Sequence, residues 1–253
     1  MRPHKQLEEV LGLLDAGKSD GEVAAQTGVP RRTICDWRQG RCLVRDRRRG
    51  ADHKCRDEHD FSLLPEHPYA YLLGLYLGDG CISHGRRGVY CLRITLDSRY
   101  PRIIAECSDA LERIFPSKTA RAAERTQSRW VDVSMWSKHW PCLIPQHGRG
   151  VKHERRIRLT DWQTELVERH RPALLRGLIH SDGCRIIARE KSGSGLREAP
   201  RYLFSNRSED IKELFCNSCD ALGIRWTRPN DIQIAIYRKA SVAVLDNFVG
   251  PKT

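Results

Sequence analysis

Two stretches set 103 residues apart, YLLGLYLGDGCIS at 71–83 and LLRGLIHSDGCRI at 174–186, carry Gly, Leu, Asp-Gly and Cys in register. An internal repeat constrains the chain more than any other feature here, because like units bury their apolar faces against one another. The segments downstream of the two copies also match in kind. After the first come β-rich runs near 81–83, 89–96, 119–125 and 130–134, with helices near 101–115 and 138–144. After the second come runs near 184–189, 202–205, 225–228 and 232–237, with helices near 209–222 and 239–249. Gly150-Val151-Lys152 closes the first copy and Gly250-Pro251-Lys252 the second, 73 and 70 residues past their aspartates. This order predicts an α+β chain whose larger part, 66–253, divides into repeats at 66–165 and 166–253.

The repeated segment reads as a helix. Gly74 and Gly78 in one copy, and Gly177 and Ser181 in the other, stand four residues apart and so share a helix face. Small residues at that spacing let two backbones approach closely. Packed about a pseudo-dyad, the helices would bring their C-terminal ends together, each ending in Asp-Gly at Asp79-Gly80 or Asp182-Gly183. Two carboxylates at one point repel unless a cation neutralises them. Mg²⁺, held by carboxylates, waters and substrate phosphates, suits such a pair and would support phosphodiester hydrolysis.

The charge points to a polyanionic partner. Lys and Arg number 44 against 32 Asp and Glu, a formal net charge of +12. Residues 66–253 hold +10 of it, and 34 of the basic residues are Arg, the side chain suited to bidentate contacts with phosphates and guanine edges. Candidate contacts on the β-runs and turns are Arg86, Arg87, Arg93, Arg121, Arg125, Arg185, Arg189, Lys191, Arg201, Arg225 and Arg228. Strand alternation predicts that Arg185, Ile187 and Arg189 share a face. The bridge PQHGRGVKHERRIR at 145–158 adds Arg149, Lys152, Arg155, Arg156 and Arg158. No apolar run reaches 18 residues and no basic-then-apolar start is present, which argues against a membrane span or signal peptide and for a cytoplasmic, nucleoid-associated protein. The ten cysteines are then expected to be reduced. Cys216 and Cys219 form a CxxC, but within an amphipathic helix whose inner face they share with Ile211, Leu214, Phe215 and Leu222.

Residues 1–40 read as three short helices. Leu7, Val10, Leu11, Leu13 and Leu14 space the first, which stops at Gly17; Ser19 and Glu22 form a capping box for the second; Gly28 turns the chain before Pro30 opens the third. The third, RRTICDWRQG, turns Ile34 and Trp37 inward and Arg31, Arg32, Thr33 and Arg38 outward. The stretch resembles the helix-turn-helix of homeodomain-like and transposase-type DNA binders. Residues 41–65 read as a basic linker holding Arg41, Arg45, Arg47, Arg48 and Arg49. Within or beside it Cys42, His53, Cys55 and His59 lack the spacing of a zinc finger.

LLGLYLGDG at 72–80 and LRGLIHSDG at 175–183 resemble the two signature motifs of the LAGLIDADG homing endonucleases, and the likeness spans residues 68–253. It implies a pair of αββαββα units whose sheets form a saddle across the DNA major groove. It implies Asp79 and Asp182 as acidic metal ligands, with Gly78 and Ser181 beside them and Lys152 and Lys252 as basic groups near the reacting phosphates. Leu73 and Arg176 depart from the usual small second residue, and Leu77 and His180 from the motif's first Asp. Arg176 is then expected to face away from the helix pair.

The function expected is sequence-specific binding of double-stranded DNA with Mg²⁺-dependent cleavage of each strand, by a monomer whose pseudo-dyad is internal. The alternative is a transcriptional regulator that keeps the scaffold and binds without cutting, since fold alone does not separate the two. Both aspartates being present favours the nuclease. An RNA-splicing maturase is a third reading, against which the helix-turn-helix pattern argues.

Overall fold

The computed structural model describes residues 4–38, 59–85, 88–125, 128–148, 150–192, 195–250 and 252. Arg86, Arg87, Arg149 and most of the linker, including Cys42, His53 and Cys55, lie outside the described residues.

The N-terminal segment holds α1 (His4–Asp15), α2 (Asp20–Thr27) and α3 (Arg31–Arg38) around a core of Val10, Val23, Val29 and Ile34. The Ser19–Glu22 capping box is formed, and Gly28 closes α2 at φ 67°, a left-handed conformation that favours glycine.

The larger body contains two units of matching order. The first has α4 (Glu66–Asp79), β1 (Gly80–His84), β2 (Tyr90–Asp97), α5 (Pro101–Ile114), β3 (Arg121–Glu124), β4 (Trp130–Ser137) and α6 (Trp140–Leu143). The second has α8 (Arg171–Asp182), β5 (Gly183–Ser192), β6 (Gly195–Ser205), α9 (Glu209–Ala221), β7 (Thr227–Asn230), β8 (Gln233–Ile236) and α10 (Lys239–Asp246). Each sheet is antiparallel, with order β1-β2-β4-β3 in one and β5-β6-β8-β7 in the other. Between them stands α7 (Asp161–Arg169), a helix not among those expected from the repeat, although its Thr160–Gln163 capping box is legible in the sequence.

Helices α4 and α8 lie at the centre, and Tyr69 to Leu77 is buried without a break. A helix apolar on every side has no solvent face to offer. The flanking α5 is amphipathic and buries Ile103, Cys107, Ala110, Leu111 and Ile114, while α9 buries Ile211, Phe215, Cys216 and Cys219. The CxxC cysteines are therefore core residues. The strands alternate. In β4, Val131, Val133 and Met135 are buried while Trp130 and Trp136 stand exposed, so each sheet has a face packed on helices and an open face. No helix among the described residues is long and apolar enough to cross a membrane.

Candidate active site at the ends of the paired helices

Glycine decides how close α4 and α8 come. A Cβ on Gly74 would lie 2.5 Å from the Leu174 carbonyl and 2.9 Å from the Cα of Gly177. One on Gly177 would strike the Tyr71 carbonyl and the Cα of Gly74, and one on Gly78 would strike the side chain of Ser181. Backbone thus meets backbone over a full turn. Ser181 spends its hydroxyl within its own helix, donating to the Gly177 and Leu178 carbonyls.

The helix ends consequently carry Asp79 and Asp182 side by side. Asp79 keeps part of its surface open to water yet is walled by protein, and burial raises its carboxyl above the ordinary range against the pull of Lys152 and Lys252. Asp182 is pushed up to about 6, first by burial and then by the charge of Asp79. Both acids also sit at helix C-termini, where the backbone carbonyls disfavour negative charge. Asn206 offsets part of this, its amide donating to Asp182 Oδ2 at 2.6 Å.

Each closing lysine caps a motif helix. Lys152 Nζ donates to the carbonyls of Tyr76, Gly78 and Gly80 at 2.6, 2.5 and 2.9 Å, and Lys252 Nζ donates to His180 at 2.9 Å. Burial lowers both ammonium groups, Lys152 to about 8, although Asp182 and Asp79 pull each the other way. A cleft of 550 Å³ opens beside Lys152, with Asp182 and Asn206 across from it.

Of the other motif departures, Arg176 does face away from the helix pair. It forms a fork with Glu106 of α5 at 2.7 and 2.8 Å and donates to the carbonyls of Phe248 and Val249, so it ties the two units together. His180 is buried, with Nδ1 2.9 Å from the Tyr71 hydroxyl. Burial and the nearby Arg176 and Lys252 push its imidazole down to about 3.

The open faces carry some of the predicted arginines and not others. Arg93 is exposed and lies in a cross-strand row, Cys81–Arg93–Ser134–Arg121. Arg201 lies opposite Ile186 with its guanidinium over the Tyr237 ring, and Arg225 is exposed just before β7. Arg185 does not share that face. Strand alternation places it with buried Tyr202 on the helix side, where it forks onto Asp246 of α10 at 2.8 and 3.0 Å. Arg189 pairs with Glu198 across the β5–β6 hairpin, Arg228 with Glu209, and Arg125 with Asp132. In the N-terminal helices Arg31 and Arg32 are exposed and Thr33 half-buried, whereas Arg38 pairs with Asp20 at 2.5 Å. His59 is buried with its ring edge against His139, and no group of three metal-ligating side chains occurs among the described residues.

Two groups at the cleft are not singled out as site residues by sequence motifs. Asn206 follows β6 as Ser98 follows β2, each with its backbone N–H on the facing loop, so extending the repeat alignment to these strand ends would have drawn attention to it. Arg155 was legible only as one more cation in a basic bridge.

No family model matches the sequence, and no curated protein matches it. Solved structures do. The homing endonuclease I-DmoI in complex with DNA and Mn is 14% identical, with 73% of this chain and 97% of that chain covered at a TM-score of 0.50. The LAGLIDADG meganuclease I-AabMI bound to uncleaved DNA is 13% identical over 72% of this chain and 82% of that one, TM-score 0.46. A double mutant of I-SmaMI is 11% identical over 73% and 85%, TM-score 0.48. Two like units, a glycine-faced helix pair and an aspartate at the end of each are thus arranged in the fold of the LAGLIDADG homing endonucleases.

Proposed function

We propose that this chain is a site-specific endonuclease of double-stranded DNA that works with a divalent cation. The observation that carries the reading is the meeting of Asp79 and Asp182 at the ends of two helices held backbone to backbone, beside a cleft lined by basic groups. The donor set fits a hard divalent ion. The two carboxylates, both raised by burial and Asp182 also by the charge of Asp79, gain from a cation between them, and Mg²⁺ completes its shell with water and substrate phosphates rather than a third acid. When bound, the ion would supply Lewis-acid stabilisation to a phosphate undergoing attack. Asn206 would orient Asp182, while Lys152 and Lys252 would fix the helix ends and add positive charge. The exposed Arg93, Arg121 and Arg225 and the half-buried Arg201 would engage the duplex, with Arg31, Arg32 and Thr33 of the N-terminal helices extending the footprint.

A second reading, a DNA-binding regulator that does not cut, draws on one observation. Lys152 places its donors on three carbonyls, as a structural cap does. Selection of bound duplexes from a randomised library, with subsequent incubation in Mg²⁺, separates the two. The nuclease reading expects double-strand cuts by the wild type that vanish in Asp79→Asn and Asp182→Asn while binding persists. Specific binding without cuts by the wild type would instead favour the regulator.

A further inference from the structure

The innermost cross-strand rows of the two open sheet faces hold equivalent places and carry opposite chemistry. Gly80 pairs with Ile94 in one sheet and Gly183 with Phe204 in the other. The pairings that follow put Arg93 where the second unit has Leu203, Ser134 where it has Ala235, and Arg121 where it has Thr227. Each row begins on a cysteine two residues past its aspartate, Cys81 or Cys184, so both start at the acid pair. In the first row two exposed guanidinium groups flank a serine. In the second, Leu203 and Ala235 alternate with Tyr202, Phe204, Ile234 and Ile236, which are buried against the helices, and so turn to the open face. Neither has a polar side-chain atom. Thr227 donates its hydroxyl to the Ala235 carbonyl at 3.3 Å, which leaves its methyl group to the face. The cation Arg201 lies one row farther along the strands, opposite Ile186. A base edge pressed on the Leu203 row finds no partners for its amino and keto groups, and thymine alone offers a methyl group there. A guanine edge, with two acceptors, matches the arginines of the first row.

We propose that the two halves of the protein read different bases at equivalent places: Arg93 and Arg121 take guanine, whereas Leu203, Ala235 and Thr227 take thymine through its methyl group. The target is then asymmetric where the protein is pseudo-symmetric. This assignment rests on the double-stranded DNA part of the reading above and holds whether or not the strands are cut.

Two measurements on the full chain test it. In the first, wild type, Leu203→Arg and Arg93→Leu each select duplexes from a randomised library without added metal. The wild-type site should carry thymine in one half and guanine at the dyad-related place in the other. Leu203→Arg should exchange that thymine for guanine and leave the other half unchanged, and Arg93→Leu should lose the guanine. In the second, the wild type binds its selected duplex with deoxyuridine in place of the thymines that Leu203→Arg exchanged or, where that variant selects nothing, of each thymine in turn. The change removes only methyl groups and should weaken binding, read by fluorescence anisotropy, about fourfold for each methyl lost from the row. One base at both dyad-related places, a Leu203→Arg site identical to that of the wild type, or equal affinity for thymine and deoxyuridine duplexes overturns the proposal while the duplex reading stands. A wild type that enriches no duplex overturns both.

Discussion

Asp182 shows how a single side chain couples this fold to its conditions. Its carboxyl is held at about 6 against an ordinary 3.8, by burial and by the charge of Asp79. Between those values the folded chain keeps a proton that the unfolded chain has released, so stability is greatest below the ordinary value and declines as pH rises through about 6. In metal-free buffer at pH 8, Asp182→Asn should therefore unfold at higher denaturant than the wild type, by about 2 kcal/mol, and the gap should close near pH 4. Millimolar Mg²⁺ should raise the wild-type melting temperature at pH 8 and leave that of Asp182→Asn nearly unmoved. A variant less stable than the wild type at pH 8 would mean that the Asn206 hydrogen bond outweighs the repulsion. Arg185 makes the complementary point, since a side chain that looks like a surface cation in the sequence ends in a fork on Asp246.

At the scale of elements, the contact between α4 and α8 is the joint on which the rest depends. Gly177→Ala sets a methyl against the Tyr71 carbonyl, which is backbone and has nowhere to move. Separating the helices should remove about 3 kcal/mol, seen as a melting temperature lowered by roughly 10 °C, and should disturb both aspartates together. Gly12→Ala, in the solvated part of α1 with open space around it, should change the melting temperature by no more than about 2 °C. The fork from Arg176 to Glu106, with the Phe248 and Val249 carbonyls on the same guanidinium, is a second tie between the units. Replacing Arg176 by Leu leaves Glu106 and two carbonyls without their donor and should destabilise the chain by about 2 kcal/mol in a denaturant titration.

For the whole molecule, charge and internal symmetry set the expectations. A surface of +12 releases counterions on meeting a duplex, so affinity should fall by about a thousandfold between 50 and 200 mM salt, measured by fluorescence anisotropy. A slope near zero would remove the polyanion from consideration. Because the pseudo-dyad lies within one chain, gel filtration should give a mass near 29.1 kDa, and a mass near twice that would show that a second copy is needed. The core of α1 to α3 is closed by Val10, Val23, Val29 and Ile34 without residues from the larger body. Removing residues 1–58 should accordingly leave the melting of the larger body unchanged in calorimetry.

The repeat, the glycines at fourfold spacing and the Asp-Gly at each helix end were legible in the sequence, because helix periodicity alone puts Gly74 and Gly78, or Gly177 and Ser181, on one face. So was the order of helices and strands in each unit, for alternation and amphipathic spacing are local properties of the chain. The β5–β6 hairpin runs longer than its apolar pattern suggested, since backbone pairing from Gly183↔Phe204 to Ser192↔Gly195 does not require an apolar face. Which arginines face water was decided only in three dimensions. Arg185, Arg228 and Arg38 found acids on Asp246, Glu209 and Asp20, partners 61, 19 and 18 residues away, whereas Arg155 found a cavity. The carboxylate of Asp182 owes its raised proton affinity to the same cause: charge responds to distance and burial, and those exist only once the two units have closed on each other.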